Sequence, residues 1–144
     1  MKKYKPTQKM LKAMDKTIVA YDLLIANPRE RLNAWCFYGT TGGCQLCRAA
    51  LTDGRVGDCT KCPIGITHSA ISPGDGPCVT RTFDALEDAL GCAGHLARSR
   101  KEHLDEDALA LLATVRTAAR ARRKWLIQQF KKAVPKWRTP KKEK

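Results

Sequence analysis

The first part of the chain distributes apolar and polar residues with the period of an amphipathic helix. Apolar residues recur at steps of three and four along one stripe formed by Met10, Met14, Ile18, Tyr21, Leu24 and Ile25. Thr7 stands where an N-cap is expected, so the pattern predicts a helix from there to about Ala26. Asn27 can end that helix and cap a second, short one with Pro28 at its first position. We therefore expect two N-terminal helices within residues 1–38.

The last part of the chain shows the same period in two segments. Thr82 is the expected cap of the first segment, whose apolar stripe consists of Phe83, Leu86, Leu90 and Ala93. Asp105 is expected to open the longest helix and Pro135 to end it. The stripe of this helix consists of Leu104, Ala108, Leu111, Leu112, Val115, Ala118, Ala119 and Leu126. The two segments predict a helical hairpin over 81–135, and the composition of 136–144 predicts a disordered basic tail.

Residues 39–80 lack this period and are rich in Gly, Pro and Cys. They contain two C-x2-C pairs, formed by Cys44, Cys47, Cys59 and Cys62. Each pair can turn two thiolates toward one point, and two pairs together make the tetrahedral sulfur site that Zn²⁺ prefers. The predicted fold class is therefore mainly α, with helices flanking a small, irregular, knuckle-like zinc-binding module.

Other cysteines leave the ligand set open. Cys78 can replace one of the four ligands or remain a buried thiol, and an iron–sulfur cluster is the less favoured cofactor. A closed four-sulfur site has no open position for a substrate, so the zinc is expected to be structural. Cys92 and His95 form a second, weaker candidate pair on one helical face. The alternative is a buried thiol beside a surface imidazole.

The sequence carries no catalytic motif. It has no phosphate-binding G-x-x-x-x-G-K-[ST], no G-x-G-x-x-G, no H-E-x-x-H and no G-x-S-x-G. Asp105, Glu106 and Asp107 are adjacent and suit the start of a helix better than an acid–base pair. These observations predict a protein that is not an enzyme and has no small-molecule substrate. The chain shows no apolar run of about 18 residues, so we expect a cytoplasmic protein without a membrane partner.

The net charge of +13 is concentrated at the ends of the chain. Residues 1–16 carry +5 and residues 116–144 carry +11, whereas the rest carries −3. The candidate nucleic-acid-binding residues are Arg116, Arg120, Arg122, Arg123, Lys124, Lys131, Lys132, Lys136 and Arg138. Aromatic side chains at Trp125, Phe130 and Trp137 lie among them, which suits contact with phosphates and exposed bases. The alternative is that Trp125 and Phe130 belong to the core and the cations are merely solvated.

Three short runs in the cysteine-rich segment carry a family resemblance. They are Cys44-Gln-Leu-Cys47, Cys59-Thr-Lys-Cys62-Pro63-Ile64 and Gly76-Pro77-Cys78. Together they resemble a group of tailed-bacteriophage proteins, mostly of uncharacterised function, that carry C-x-L-C, C-x2-C-P-[ILV] and Gly-x-Cys. The resemblance covers roughly residues 18–80. It implies a compact cysteine-bound module, a phage or prophage origin and, with that origin, the host-cell cytoplasm.

Charge and cysteine pattern together lead to one functional prediction and one alternative. The prediction is a zinc-stabilised, non-enzymatic, phage-type accessory protein that binds DNA or RNA through its basic C-terminal helix. The alternative is a protein–protein adaptor or inhibitor that docks on a host enzyme, such as RNA polymerase or a nuclease. In that case the metal module is the recognition surface and the basic ends steer the encounter.

Overall fold

A computed structural model of the chain describes residues 4–32, 46, 49, 62–64, 81–93, 96 and 104–140. It contains the long helices α1 (Gln8–Ala26), α2 (Arg81–Ala93) and α3 (Glu106–Ala133). Residues 28–32 add a short helical segment after α1. No strand occurs in these ranges, so the mainly α class is confirmed for the part of the chain that the structure describes. None of the helices found there combines the length and apolar content that a bilayer span requires.

The start of α1 is fixed by its predicted cap. The hydroxyl of Thr7 accepts a hydrogen bond from the backbone N–H of Met10 at 3.1 Å, which satisfies a donor that has no partner within the helix. The face that α1 buries consists of Met10, Ala13, Met14, Thr17, Ile18, Tyr21 and Leu24. The hydroxyl of Thr17 donates to the carbonyl of Ala13 at 2.7 Å. The hydroxyl of Thr17 therefore has a hydrogen-bond partner although it is buried.

The end of α1 follows the prediction made from the Asn27-Pro28 step. The N–H of Asn27 donates to the carbonyl of Leu23 at 2.9 Å and closes the last turn. The carbonyl of Asn27 then accepts from the N–H of Arg31 at 3.3 Å. Pro28 is buried at the first position of the new segment, where its missing N–H loses no hydrogen bond. Asn27 thus ends one helix and starts the next.

The second helix begins one residue before the predicted cap. α2 starts at Arg81, so the prediction of Thr82 as the N-cap is wrong. The hydroxyl of Thr82 instead accepts a hydrogen bond from Nη1 of Arg122 on α3 at 3.1 Å. The inner face of α2 consists of Leu86, Ala89, Leu90 and Ala93. Gly91 is exposed, and no atom lies within 4 Å of the position a Cβ would take there. Close packing of another segment is therefore not the reason for a glycine at this position.

Both other helices pack against α3. The predicted cap of α3 is confirmed, because a carboxylate oxygen of Asp105 accepts from the N–H of Ala108 at 2.8 Å. Acidic residues occupy the first turn and lysines the last, which complements the helix dipole at both ends. The N–H of Val134 donates to the carbonyl of Phe130 at 2.8 Å, and the helix ends just before Pro135, as predicted.

Two contacts show that α1 runs antiparallel to α3. In the first half of α3, Arg116 reaches the carbonyl of Ile25, close to the end of α1. Beyond the end of α3, Trp137 reaches Asp15 in the first half of α1. Residues later in the sequence of α3 and its tail therefore contact residues earlier in α1. The amino-terminal lysines and the carboxy-terminal cations lie at the same end of the helical bundle as a result.

The chain that follows α3 folds back on α1. Trp137 is only 6% exposed, and its ring meets that of Phe130 edge-to-face, with centroids 5.3 Å apart. Its indole N–H donates to a carboxylate oxygen of Asp15 at 2.9 Å. The expectation of disorder over 136–144 is therefore wrong at Trp137, because the ring has both an apolar neighbour and an acceptor for its polar edge. Residues 141–144 lie outside the described ranges.

Substitution of Trp137 can separate its two contacts. Trp137→Phe keeps a ring beside Phe130 but removes the donor to Asp15, and we expect a loss of about 1 kcal/mol in the free energy of unfolding. Trp137→Ala also removes the ring, and we expect a loss of about 3 kcal/mol. Urea unfolding followed by circular dichroism measures both values. Equal free energies of unfolding for the wild-type protein and both variants would contradict the packing of Trp137 against Phe130 and Asp15.

Candidate nucleic-acid interface

The structure divides the nine predicted nucleic-acid-binding residues into two groups. Six side chains are exposed: Arg120, Lys124, Lys131, Lys132, Lys136 and Arg138. Three arginines of α3 are engaged with the other helices instead: Arg116, Arg122 and Arg123. The prediction treated the basic residues of α3 and the tail as one surface, and the packing of α1 and α2 against α3 removes three of the nine from it.

Arg122 is a structural residue. Its side chain is 3% exposed, and its guanidinium carbon lies 4.5 Å from the ring centroid of Trp125 and 5.4 Å from that of Phe83. One terminal nitrogen also donates to the hydroxyl of Thr82. Two aromatic faces and a hydroxyl thus hold the buried cation and tie the first turn of α2 to α3. Because its charge is enclosed, Arg122 is not part of the exposed basic surface, and its predicted contact with nucleic acid stays a prediction.

Arg123 and Arg116 connect α3 to α1. The Nε atom of Arg123 lies 2.8 Å from a carboxylate oxygen of Asp22, and both side chains are largely buried. Its N–H makes no hydrogen bond of good geometry, so we regard this contact as an ion pair governed by charge and distance. The Nε–H of Arg116 donates to the carbonyl of Ile25 at 2.9 Å. These contacts hold the two helices together, and Arg116 is engaged through its Nε–H while half-buried.

The aromatic residues of this region do not form a stacking surface for bases. Phe130 is fully buried, and Trp137 is nearly so. Trp125 is half-buried with the Arg122 guanidinium over its ring. Burial keeps Phe130 and Trp137 from stacking on bases, and the alternative that assigned Phe130 to the core is confirmed. The exposed groups that remain are ammonium and guanidinium ions, which suit phosphate oxygens.

Four lysines near the start of the chain lie at the end of the bundle where α3 ends. Lys5, Lys9, Lys12 and Lys16 are all exposed, and the last three recur at steps of three and four along α1. Because Trp137 fastens the tail to Asp15, these lysines lie at the same end as the cations that close α3. We call this surface the basic end, formed by Lys5, Lys9, Lys12, Lys16, Lys131, Lys132, Lys136 and Arg138.

The charge excess of residues 1–16 was visible in the sequence, but the lysines within it were not among the predicted site residues. Periodicity shows which residues share a face of one helix. It does not show which helix lies beside which, or in which direction. The signal that could have found them is the charge of both termini combined with an antiparallel arrangement of the first and last helices.

Apart from Asp15, which accepts from the Trp137 indole, the acidic clusters occupy other parts of the surface. Asp105, Glu106 and Asp107 are exposed at the start of α3, twenty-six residues before Lys131 and so about 39 Å away along the helix. The exposed side of α2 adds Asp84, Glu87 and Asp88. A polyanion is thus attracted to one end of the molecule and repelled from the other.

Most of the predicted zinc ligands lie outside the described residues. This applies to Cys44, Cys47, Cys59 and the alternative ligand Cys78, and His95 is outside as well. Cys62 is described and is 8% exposed. Within the described ranges no group of His, Cys, Asp or Glu side chains is arranged to hold a metal. The zinc site and its iron–sulfur alternative therefore remain predictions.

The surroundings of Cys62 connect the cysteine-rich segment to the helical core. Ile64 and Leu46 belong to the same buried cluster as Met14 and Phe130. Burial, together with the negative charge of the nearby Cys62 sulfur, raises the pKa of Tyr4 to about 12. The residues before α1 therefore pass close to this cysteine. Cys92, by contrast, is exposed on α2, so the alternative of a buried thiol at that position is wrong.

Comparisons with known proteins identify no relative of this chain. No protein-family model, no curated protein sequence and no solved structure matches it. The resemblance to tailed-phage proteins stays a prediction for this reason. Functional inference rests on the charges, contacts and burial described above.

Arg122 and Arg120 provide a matched test of the structural assignment. Arg122→Lys keeps the charge but loses the planar group between two rings, and we expect a loss of about 2 kcal/mol in the free energy of unfolding. Arg120→Lys changes an exposed side chain and should shift stability by less than about 0.5 kcal/mol. Urea unfolding of both variants gives the comparison. Equal stability of the two variants would show that the aromatic enclosure does not stabilise the fold.

Cys62 and Cys92 provide a matched test of the zinc prediction. Elemental analysis of the purified protein should find about one zinc ion per chain. Cys62→Ser should lose the zinc and lower the melting temperature, because a ligand in the core cluster is removed. Cys92→Ser, at an exposed position, should change neither quantity. Full zinc content in the Cys62→Ser protein would exclude Cys62 from the ligand set.

Proposed function

We propose that the protein is a non-enzymatic nucleic-acid-binding protein and that the basic end is its binding surface. The observation that supports the proposal is the convergence of exposed cations from both ends of the chain on one end of the helical bundle. The cysteine pattern adds zinc as the stabilising metal, and the family resemblance adds a phage-type accessory role.

The chemistry of the basic end favours contact with phosphates over contact with bases. Seven of its eight cations are lysines, which bind phosphate as point charges and fix no geometry. No exposed aromatic ring among the described residues offers a stacking platform, and specific base readout depends on groups that reach base edges. Binding should therefore be strongly salt-dependent and weakly dependent on sequence.

The alternative of an adaptor that docks on a host enzyme through the metal module concerns residues outside the described ranges. In that case the basic end would steer the protein toward an acidic surface of the host enzyme. The two functions differ in what the cations contact. Direct binding to purified nucleic acid distinguishes them, because an adaptor needs no such affinity.

Charge reversals on both helices test the proposed surface. Deletion of α3 is not suitable, because it would remove Phe130 and much of the core. Lys12→Glu on α1 and Lys132→Glu on α3 should each lower the affinity for a fluorescently labelled DNA duplex about tenfold at low salt, whereas Arg31→Glu, an equal charge change elsewhere, should have little effect. Fluorescence anisotropy measures the affinities.

The salt dependence supplies a second readout from the same titrations. If about six phosphates are neutralised, log affinity should fall against log salt with a slope near −5 in the wild-type protein. Each reversal within the basic end should make this slope shallower by about one. Wild-type affinity in the Lys12→Glu protein would exclude α1 from the interface. Equal effects of Lys132→Glu and Arg31→Glu would show that the net charge of the protein, and not the basic end, determines the affinity.

A further inference from the structure

A groove between α1 and α3 lies apart from the basic end. It has a volume of about 460 Å³ and lies between the second half of α1 and the middle of α3. Its lining consists of Val19, Asp22, Leu23, Ile25, Ala26, Arg116 and Arg120. Most of the wall is aliphatic, and the polar groups are one carboxylate and two guanidinium ions.

The exposed large apolar side chains lie along this groove and its extension. Leu23 is 36% exposed and Leu109 is 55% exposed, and no other large hydrophobic residue in the described ranges is exposed. Leu23 lines the groove, and Leu109 precedes Arg116 by seven residues, which is two turns on the same side of α3. One exposed leucine in the groove wall and a second on the same side of α3 indicate a contact surface, whereas scattered single ones would not.

The groove carries a net positive charge. The carboxylate of Asp22 is paired with Arg123. Arg116 is held in position by its hydrogen bond to the carbonyl of Ile25, and Arg120 is exposed. In the described part of the chain neither Arg116 nor Arg120 forms an ion pair. A ligand for this groove must therefore combine apolar groups with at least one carboxylate or other anion.

We infer that the groove binds an acidic amphipathic helix of a partner protein. Leu109 and Arg120 are eleven residues apart, about 16 Å along α3, which three turns of a docked helix can cover. A helix laid in a groove between two others presents apolar residues at steps of three and four, with carboxylates beside them for the arginines. The site is separate from the basic end, so this inference does not rest on nucleic-acid binding.

Nucleic acid fits the groove less well than a peptide. Phosphates gain nothing from a wall of aliphatic side chains, and Glu106 is exposed about one turn before Leu109 on the same side of α3, where it would repel a phosphate backbone. A helical peptide can place single carboxylates at the arginines and neutral residues near that acidic turn. The distribution of charge along the surface thus favours protein over nucleic acid.

A random peptide library provides the probe. Peptides of about 16 residues, roughly 24 Å long as helices, are selected on the full chain and counter-selected on its Leu23→Ser/Leu109→Ser variant. Enriched peptides should carry apolar residues at steps of three and four together with Asp or Glu. In fluorescence anisotropy their affinity should fall about fivefold in Leu109→Ser and about tenfold in Arg120→Glu, but not in Lys132→Glu.

A charge swap separates a specific contact from loss of fold. Peptides whose carboxylates are replaced by lysine should bind the Arg120→Glu protein better than the wild-type protein. Enriched peptides without acidic residues, or equal affinity for all variants, would overturn the inference. So would displacement of the peptides by an oligothymidine, which would assign the groove to nucleic acid. Wild-type dimers in sedimentation that disappear in Leu109→Ser would also overturn it, because a second copy would be the occupant.

Discussion

The antiparallel packing of α1 along α3 is the constraint on which the other features depend. It buries large side chains of both helices, among them Met14, Ile18 and Phe130, and each such burial contributes about 1.5–3 kcal/mol. It also gathers the lysines of both ends of the chain. Two exposed charges about 10 Å apart in water repel each other by only about 0.4 kcal/mol before screening. Apolar burial therefore outweighs charge repulsion, and the basic end forms at a small energetic penalty.

The cations of α3 are sorted by type as well as by position. Three of its four arginines contact α1 or α2, whereas its lysines, Lys124, Lys131 and Lys132, are all exposed. A guanidinium ion is planar and weakly hydrated, so it can stack on a ring or lie in a helix interface without losing much hydration energy. An ammonium ion is strongly hydrated and remains in water. The arginines thus assemble the bundle, and the lysines present its charge.

Features that depend on residues close in sequence were predictable, except for the cap expected at Thr82. The caps at Thr7 and Asp105 and the apolar stripes need only a spacing of three or four residues, and they are confirmed. Features that depend on tertiary neighbours were not. The sequence does not show that Trp137 meets Asp15 across 122 positions, or that the ring of Phe83 lies beside the Arg122 guanidinium. The four-cysteine zinc site stays a prediction from spacing.

The separation of charge along α3 has a consequence for motion in solution. Carboxylates near Asp105 and ammonium ions near Lys131 give the molecule a permanent electric moment. This dipole points opposite to the dipole of the peptide groups in α3. It is also the larger of the two, because each ionised side chain carries a full charge and a helix end only about half a charge. In the field of a polyanion this moment produces a torque. The torque rotates the basic end toward the polyanion before contact. This shortens the orientational search that limits most association rates.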